Sequence, residues 1–253
     1  MRNTIKTLLL CAFIFAHSML WPQVTDTLKN QTNDKGLKQG YWEETLNRQE
    51  HKGYYQDGKK EGIWRIYHTQ GFLNEVFEYK KGMKDGLHIV IDRRGYLVTE
   101  EYFQEGKLHG RSINYMAGVR PQVEQWYDRG QESGLKRIYY ENGKVQEESY
   151  YLNGKRNGAG RWFNKDGKVI AEYNYTEGDF DGEQKTYTKD GILEKSETYR
   201  SGLLEGPCTE FFPDGTPRLQ GQYINNLKEG KWMEYNAEGK VIRTLKYRNG
   251  EEK

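Results

Sequence analysis

The chain has 253 residues, of which only 35% are hydrophobic and 30% are charged. That is lean in apolar side chains for this length and speaks against a single thick core. A formal net charge of +2 excludes the basic footprint that nucleic-acid binding needs.

The chain opens on Met1-Arg2-Asn3-Thr4-Ile5-Lys6, followed by an apolar run from Thr7 to Ala16 and the small-x-small site Ala16-His17-Ser18. This is the pattern of a secretory signal peptide, so residues 1–18 are expected to be removed and the protein exported to the periplasm, cell envelope or exterior. The apolar run is short for a membrane span of about 20 residues. Cys11 follows Leu10 where a lipoprotein site wants a small residue. Losing Arg2 and Lys6 with the leader makes the mature chain formally neutral. It also leaves Cys208 as the one thiol, so stability must come from packing without an internal disulfide. Residues 19–39 read as an N-terminal linker.

From residue 40 onward the chain is periodic. Glycine recurs every 24 residues at Gly62, Gly86, Gly110, Gly134, Gly158, Gly182, Gly206 and Gly230, with a unit two residues shorter opening at Gly40. A fixed period of this length marks one supersecondary unit, stacked. Nine residues after the lead glycine comes another, often behind Asn or Asp, as in Asn142-Gly143, Asp166-Gly167 and Asp214-Gly215. Those pairs signal hairpin turns. A third glycine follows at Gly82, Gly106, Gly130, Gly154, Gly178, Gly202 and Gly250. Between the turns lie aromatics five residues after the lead glycine (Tyr67, Tyr115, Tyr139) and seventeen after it (Tyr79, Phe103, Tyr127, Tyr151), with Leu or Val eleven after it (Leu73, Leu97, Val145). On a regular strand the eleventh and seventeenth positions share one face, which predicts rings stacked on rings along the array. Each unit is therefore predicted to be one β-hairpin. Residues 40–253 form an all-β, elongated antiparallel meander of about nine hairpins, roughly 85 Å long at the usual strand spacing.

The run Gly62-x-Trp64-x-x-Tyr67, repeated at Gly230-x-Trp232-x-x-Tyr235, with its following Gly turn and Tyr-x-x-Gly close, resembles the MORN repeat. It is similar to the bacterial variant of that repeat, often catalogued as the YwqK family antitoxin. The resemblance runs from Gly40 to Gly250. It implies a repeat scaffold that makes membrane or protein contacts, and the antitoxin name implies binding of a toxin partner.

Chemistry is sparsely supported. His51, His68, His88 and His109 lack metal-ligand spacing, and His88 fills the slot of Trp64 and Trp232. Glu100, Glu124, Glu148 and Glu172 fall at one repeat position, which points to a solvated ladder beside Lys and Arg rather than to a glycosidase pair. No phosphate-loop motif is present. Cys208 holds a Trp slot and reads as a small buried substitute. Catalytic, cofactor-binding and metal-binding residues are accordingly expected to be none, and the protein is expected to be non-enzymatic.

A uniform ladder offers a partner no landmark, so the repeat failures are the candidate binding residues. Near Ala117-Gly118-Val119 the turn glycine shifts, and Arg120, Pro121 and Trp126 depart from the pattern; Pro207, Phe212 and Pro217 mark a second departure. Trp126 stands beside the expected Tyr127 and is predicted to project from the opposite strand face. The leading expectation is an exported scaffold that binds a protein partner, with no nucleic acid. The alternative is a binder of envelope polysaccharide or a membrane surface, which a row of exposed rings would favour.

Overall fold

A computed structural model describes residues 28–116 and 120–253. These residues form 21 strands in one open sheet and contain no α-helix. The expected leader, residues 19–27 and the turn at Ala117-Gly118-Val119 lie outside the described residues. Strands pair antiparallel with their sequence neighbours along the whole array, as in Lys59–Tyr67 with Leu73–Lys80 and Leu73–Lys80 with Met83–Ile91. The sheet starts before Gly40: Gln31 and Thr32 pair with Gln39 and Lys38, so the last part of the expected linker is the end strand.

Two kinds of turn alternate. Lys81-Gly82 carries φ values of 52° and 86° at its two residues, the signature of a two-residue type I′ hairpin, whose twist matches that of the strands. Glu105-Gly106, Asn153-Gly154 and Ser201-Gly202 repeat it. The Asp/Asn-Gly pairs build the other edge. At Asn164, the backbone N–H donates to Lys168 O (2.9 Å), Gly167 N–H donates to Asn164 O (2.9 Å), and only Gly167 takes positive φ. That is a three-residue loop closed by a glycine bulge. The Asn164 side chain accepts from the N–H groups of Asp166 and Lys168 at 3.0 Å.

The lead glycine marks a large bulge. Phe77 opposes His88 and Tyr79 opposes Lys84, so two steps on one strand face four on the other. Extra residues bend the strand, and glycine absorbs the bend at φ from 64° at Gly62 to 124° at Gly206. The displaced segment is clasped by its own unit's type I′ turn. Gly82 N–H donates to Lys60 O (2.8 Å), and Glu61 Oε2 accepts from Lys81 N–H (2.7 Å). Glu205 with Asn225 and Glu229 with Asn249 repeat the clasp at 2.8 Å.

The bulge also builds the core. It folds the residue two before the lead glycine over the residue two after it. Lys60 Nζ lies 3.9 Å from the centroid of Trp64, and Lys228 lies 4.3 Å from that of Trp232. Both indoles are fully buried. Where the pocket holds Lys136 instead, the lid is Glu132, at 3.1 Å; where it holds Ser112 or Cys208, the lid residue is Leu108 or Leu204. In these units the lid changes with the filler; in the unit of Gly158 the filler position is Gly160, and the lid Arg156 lies 5.4 Å from the centroid of Trp162.

Two expectations are corrected. The inner rings do not stack along the whole array. They form three blocks, from Trp42 to Phe103, from Trp162 to Tyr199 and from Tyr223 to Tyr247, mostly in edge-on or tilted contacts. Between the first two blocks the interior is polar. Ser149 Oγ donates to Glu147 Oε1 at 2.5 Å, and Arg156 reaches the same oxygen at 2.7 Å. Nor do the eleventh and seventeenth positions share a face. Ile66 opposes Glu75 but Tyr67 opposes Leu73. This second bulge puts Leu73 with the outward Tyr67, while Tyr79 faces inward opposite Gly62.

Candidate functional site

The inner face is filled by side chains and glycines of neighbouring units, and the outer face carries exposed side chains. On it, at sixteen residues after the lead glycine, three consecutive units carry large rings. Tyr102, Trp126 and Tyr150 are 40%, 43% and 50% exposed. They sit across from Leu87, Arg111 and Leu135 respectively. The stem of each ring lies beside the next lead glycine: a Cβ at Gly110, Gly134 or Gly158 would lie 3.8, 3.3 or 3.7 Å from the Cβ of Tyr102, Trp126 or Tyr150. Two strand spacings put successive rings about 10 Å apart. In the units after them this position becomes Asn174, Thr198, Gln222 and Lys246, so the row ends at Tyr150.

A polar ladder runs beside the row. Glu124 accepts from Arg111 Nε (2.5 Å) and from the hydroxyl of Tyr139 in the next unit (2.9 Å). Glu172 accepts likewise from Arg161 (3.0 Å) and Tyr187 (2.7 Å), and Arg137 donates to Glu148 at 2.7 Å. Burial, then the neighbouring carboxylate, pushes the Tyr115 and Tyr187 phenols up to about 12. Glu124 and Glu172 are therefore ion-paired within their unit and hydrogen-bonded to the next, Glu148 is ion-paired, and Glu100 accepts from Tyr115, rather than all being simply solvated. Past Tyr150, in the unit whose lane holds Ala159, lies a shallow hollow of about 140 Å³ lined by Arg161, Glu172, Asn174, Glu183 and Lys185.

The sequence-derived candidates do not form one cluster. Arg120 is exposed at the start of the strand Arg120–Asp128, where its guanidinium donates to Glu141 O at 2.9 Å. Pro121 is half-buried opposite Tyr115. Trp126 stands near the other end of that strand, about 20 Å away, on the face opposite Tyr127, which pairs with Gly110. Pro207 is exposed opposite Gln222, whereas Phe212 and Pro217 are half-buried at the opposite sheet edge, Phe212 closing the loop at Gly215. Sequence reasoning passed over Tyr102 and Tyr150. The signal that finds them is their 24-residue spacing on either side of Trp126.

Of the other candidate groups, His88 and Cys208 are buried. His88 stacks on Phe77 at 3.9 Å, with Nδ1 2.9 Å from Glu101. Cys208 is buried, and that burial pushes its thiol up to about 11. His109 Nδ1 lies 3.3 Å from Asp128 in an open notch. Among the described residues, no group of three or more His, Cys, Asp or Glu is placed to hold a metal ion, and no helix is long and apolar enough to cross a membrane.

The fold and this outer face define a tandem β-hairpin repeat scaffold. The MORN repeat variant family matches five of its units, at residues 132–153, 156–177, 180–201, 204–225 and 228–249. Among the described residues, antiparallel hairpins with the same clasps continue on the N-terminal side of that match. No curated protein matches the sequence. Among solved structures, one match is the Tc holotoxin pore of Photorhabdus luminescens, at 9% identity and a TM-score of 0.20, over 85% of this chain and 14% of that one. The chain thus spans a small part of that protein, and a likeness this low carries no argument.

Proposed function

We propose that this protein is an exported, non-enzymatic repeat scaffold that binds an extended partner across its outer face. The observation that carries the reading is the row Tyr102, Trp126 and Tyr150. Three large rings stand exposed in register on one face, although each unit already has inner positions for its aromatics. Exposed Trp and Tyr are favoured anchors in recognition, and a row of them is the kind of apolar patch that marks a binding surface. The basic-then-apolar leader supports export.

Two measurements test this. N-terminal sequencing of the protein from fractionated cells should show a start near residue 18 in the envelope or medium; intact Met1 in the cytoplasm overturns export. The purified protein should co-sediment with the envelope fraction of its own cells. Trp126→Ala should abolish that without moving the melting temperature, and undiminished co-sedimentation of this variant overturns the binding face.

A further inference from the structure

We infer that the occupant of the ring row is a linear, uncharged, β-linked polysaccharide, lying along the array with its sugar faces on Tyr102, Trp126 and Tyr150. The inference rests on the binding-face reading above. It is carried by period, charge and chemistry together.

Period comes first. The rings recur once per unit, about 10 Å apart. A 1,4-β-linked pyranose chain repeats every two sugars over a closely similar length, with equivalent sugars presenting the same face. A folded protein partner needs a landmark to choose its register on a repeating surface. A repeating polymer needs none, because each shift by one unit restores the same contacts.

Charge comes next. Of the charged groups beside the row, Arg111 is paired with Glu124, Arg137 with Glu148 and Arg161 with Glu172, while Glu100 accepts from the Tyr115 hydroxyl at 3.2 Å. The lane therefore carries little net charge to steer a polyanion or a polycation.

Chemistry completes the case. The axial C–H groups of a β-linked sugar form an apolar, slightly positive face that suits the negative face of an aromatic ring. Its equatorial hydroxyls point sideways, to where half-exposed guanidinium and carboxylate groups offer donors and acceptors. The hollow past Tyr150, lined by Arg161, Asn174 and Lys185, continues the lane with polar groups where the fourth ring would stand.

The test is titration calorimetry of the purified protein with cellohexaose and chitohexaose, using cellobiose and chitobiose as short controls. A hexasaccharide is long enough for three rings, so it should bind much more tightly than the disaccharides. Trp126→Ala should weaken hexasaccharide binding at least about 30-fold, the factor that corresponds to a hot-spot contact. Trp126→Tyr, which keeps a stacking ring, should restore most of it. Binding indifferent to Trp126→Ala overturns the inference, as does equal affinity for short and long sugars. So does the absence of any hexasaccharide binding. In that last case the envelope co-sedimentation decides the wider reading. If Trp126→Ala still abolishes it, the face binds a partner of another class, such as a protein; if not, both readings fall.

Discussion

Trp64 lies against the backbone of Gly53. A methyl group at Gly53 would sit 2.4 Å from the indole Cδ2, and one at Gly221 would sit 2.2 Å from the same atom of Trp232. Gly53 and Gly221 hold equivalent positions, each in the unit before its tryptophan. The fully buried indole and the missing side chain are thus one feature shared by two neighbouring units. Elsewhere the pairing is inverted, with Cys208 opposite Glu197 and Ser112 opposite Glu101.

Gly53→Ala is expected to destabilise the protein by about 1–3 kcal/mol, the usual range for overpacking. Gly53 is not among the positive-φ glycines, so no backbone strain adds to the packing loss. Urea unfolding checks it, with Trp64→Phe as a partner in a double-mutant cycle. The cycle should show a favourable coupling, because the smaller ring makes room for the methyl group.

Position along the array should matter as much as contact. Tyr151 is half-buried in a central unit, with Arg156 Nε donating to its hydroxyl at 3.2 Å and Lys136 over its ring. Tyr151→Ala should cost about 3 kcal/mol, the low end for loss of a large ring. Tyr247→Ala lies in the last unit, which has one neighbour, and should mainly fray the end. Hydrogen exchange reads the difference: protection lost across central units in the first variant, and only beyond about residue 227 in the second. Equal effects would contradict nearest-neighbour stacking.

Stability should fall in alkali. The Cys208 thiol is held up to about 11, and the Tyr115 and Tyr187 phenols up to about 12, in each case chiefly by burial. These folded-state values lie above those of the unfolded chain, so the unfolded chain loses its protons first. The contribution is complete below about pH 9 and disappears as pH rises through 9 to 12. Urea midpoints should hold steady from pH 7 to 8.5 and drop by pH 10.5, and Tyr187→Phe should blunt the drop. A thiol reagent at pH 8 should modify Cys208 only as the protein unfolds.

Solution scattering should report a particle far from spherical. A compact chain of this length has a radius of gyration near 18 Å, and an open meander should exceed it well. The far-UV circular dichroism should be that of β-structure with strong aromatic bands in the near-UV.

The hairpins were legible because glycine and tyrosine repeat in fixed register, and because a strand needs only a period and a turn to be recognised. The bulges were not. A register slip at Tyr67 opposite Leu73 leaves no mark in composition, yet it reverses the face of Leu73 relative to Tyr79 on the same strand. The lid residues were hidden for a related reason. Lys60 and Lys228 look like ordinary surface lysines until the bulge at Gly62 or Gly230 folds them over an indole. Trp126 stands out as an exception, whereas Tyr102 and Tyr150 look ordinary one at a time. The ring row is a pattern of repetition, and a search for departures does not see it.

The clasp between each type I′ turn and its own strand has a mechanical consequence. The strands lie across the array, so a pull on its two ends loads the hydrogen bonds of one hairpin at a time instead of shearing many together. Each unit that opens releases 24 residues, or about 80 Å of chain, while the units behind it keep their own clasps and lids. Stretched between two anchors, the protein would lengthen in even steps at low force and re-form in the same steps, yielding by units where a compact domain of the same size would rupture once.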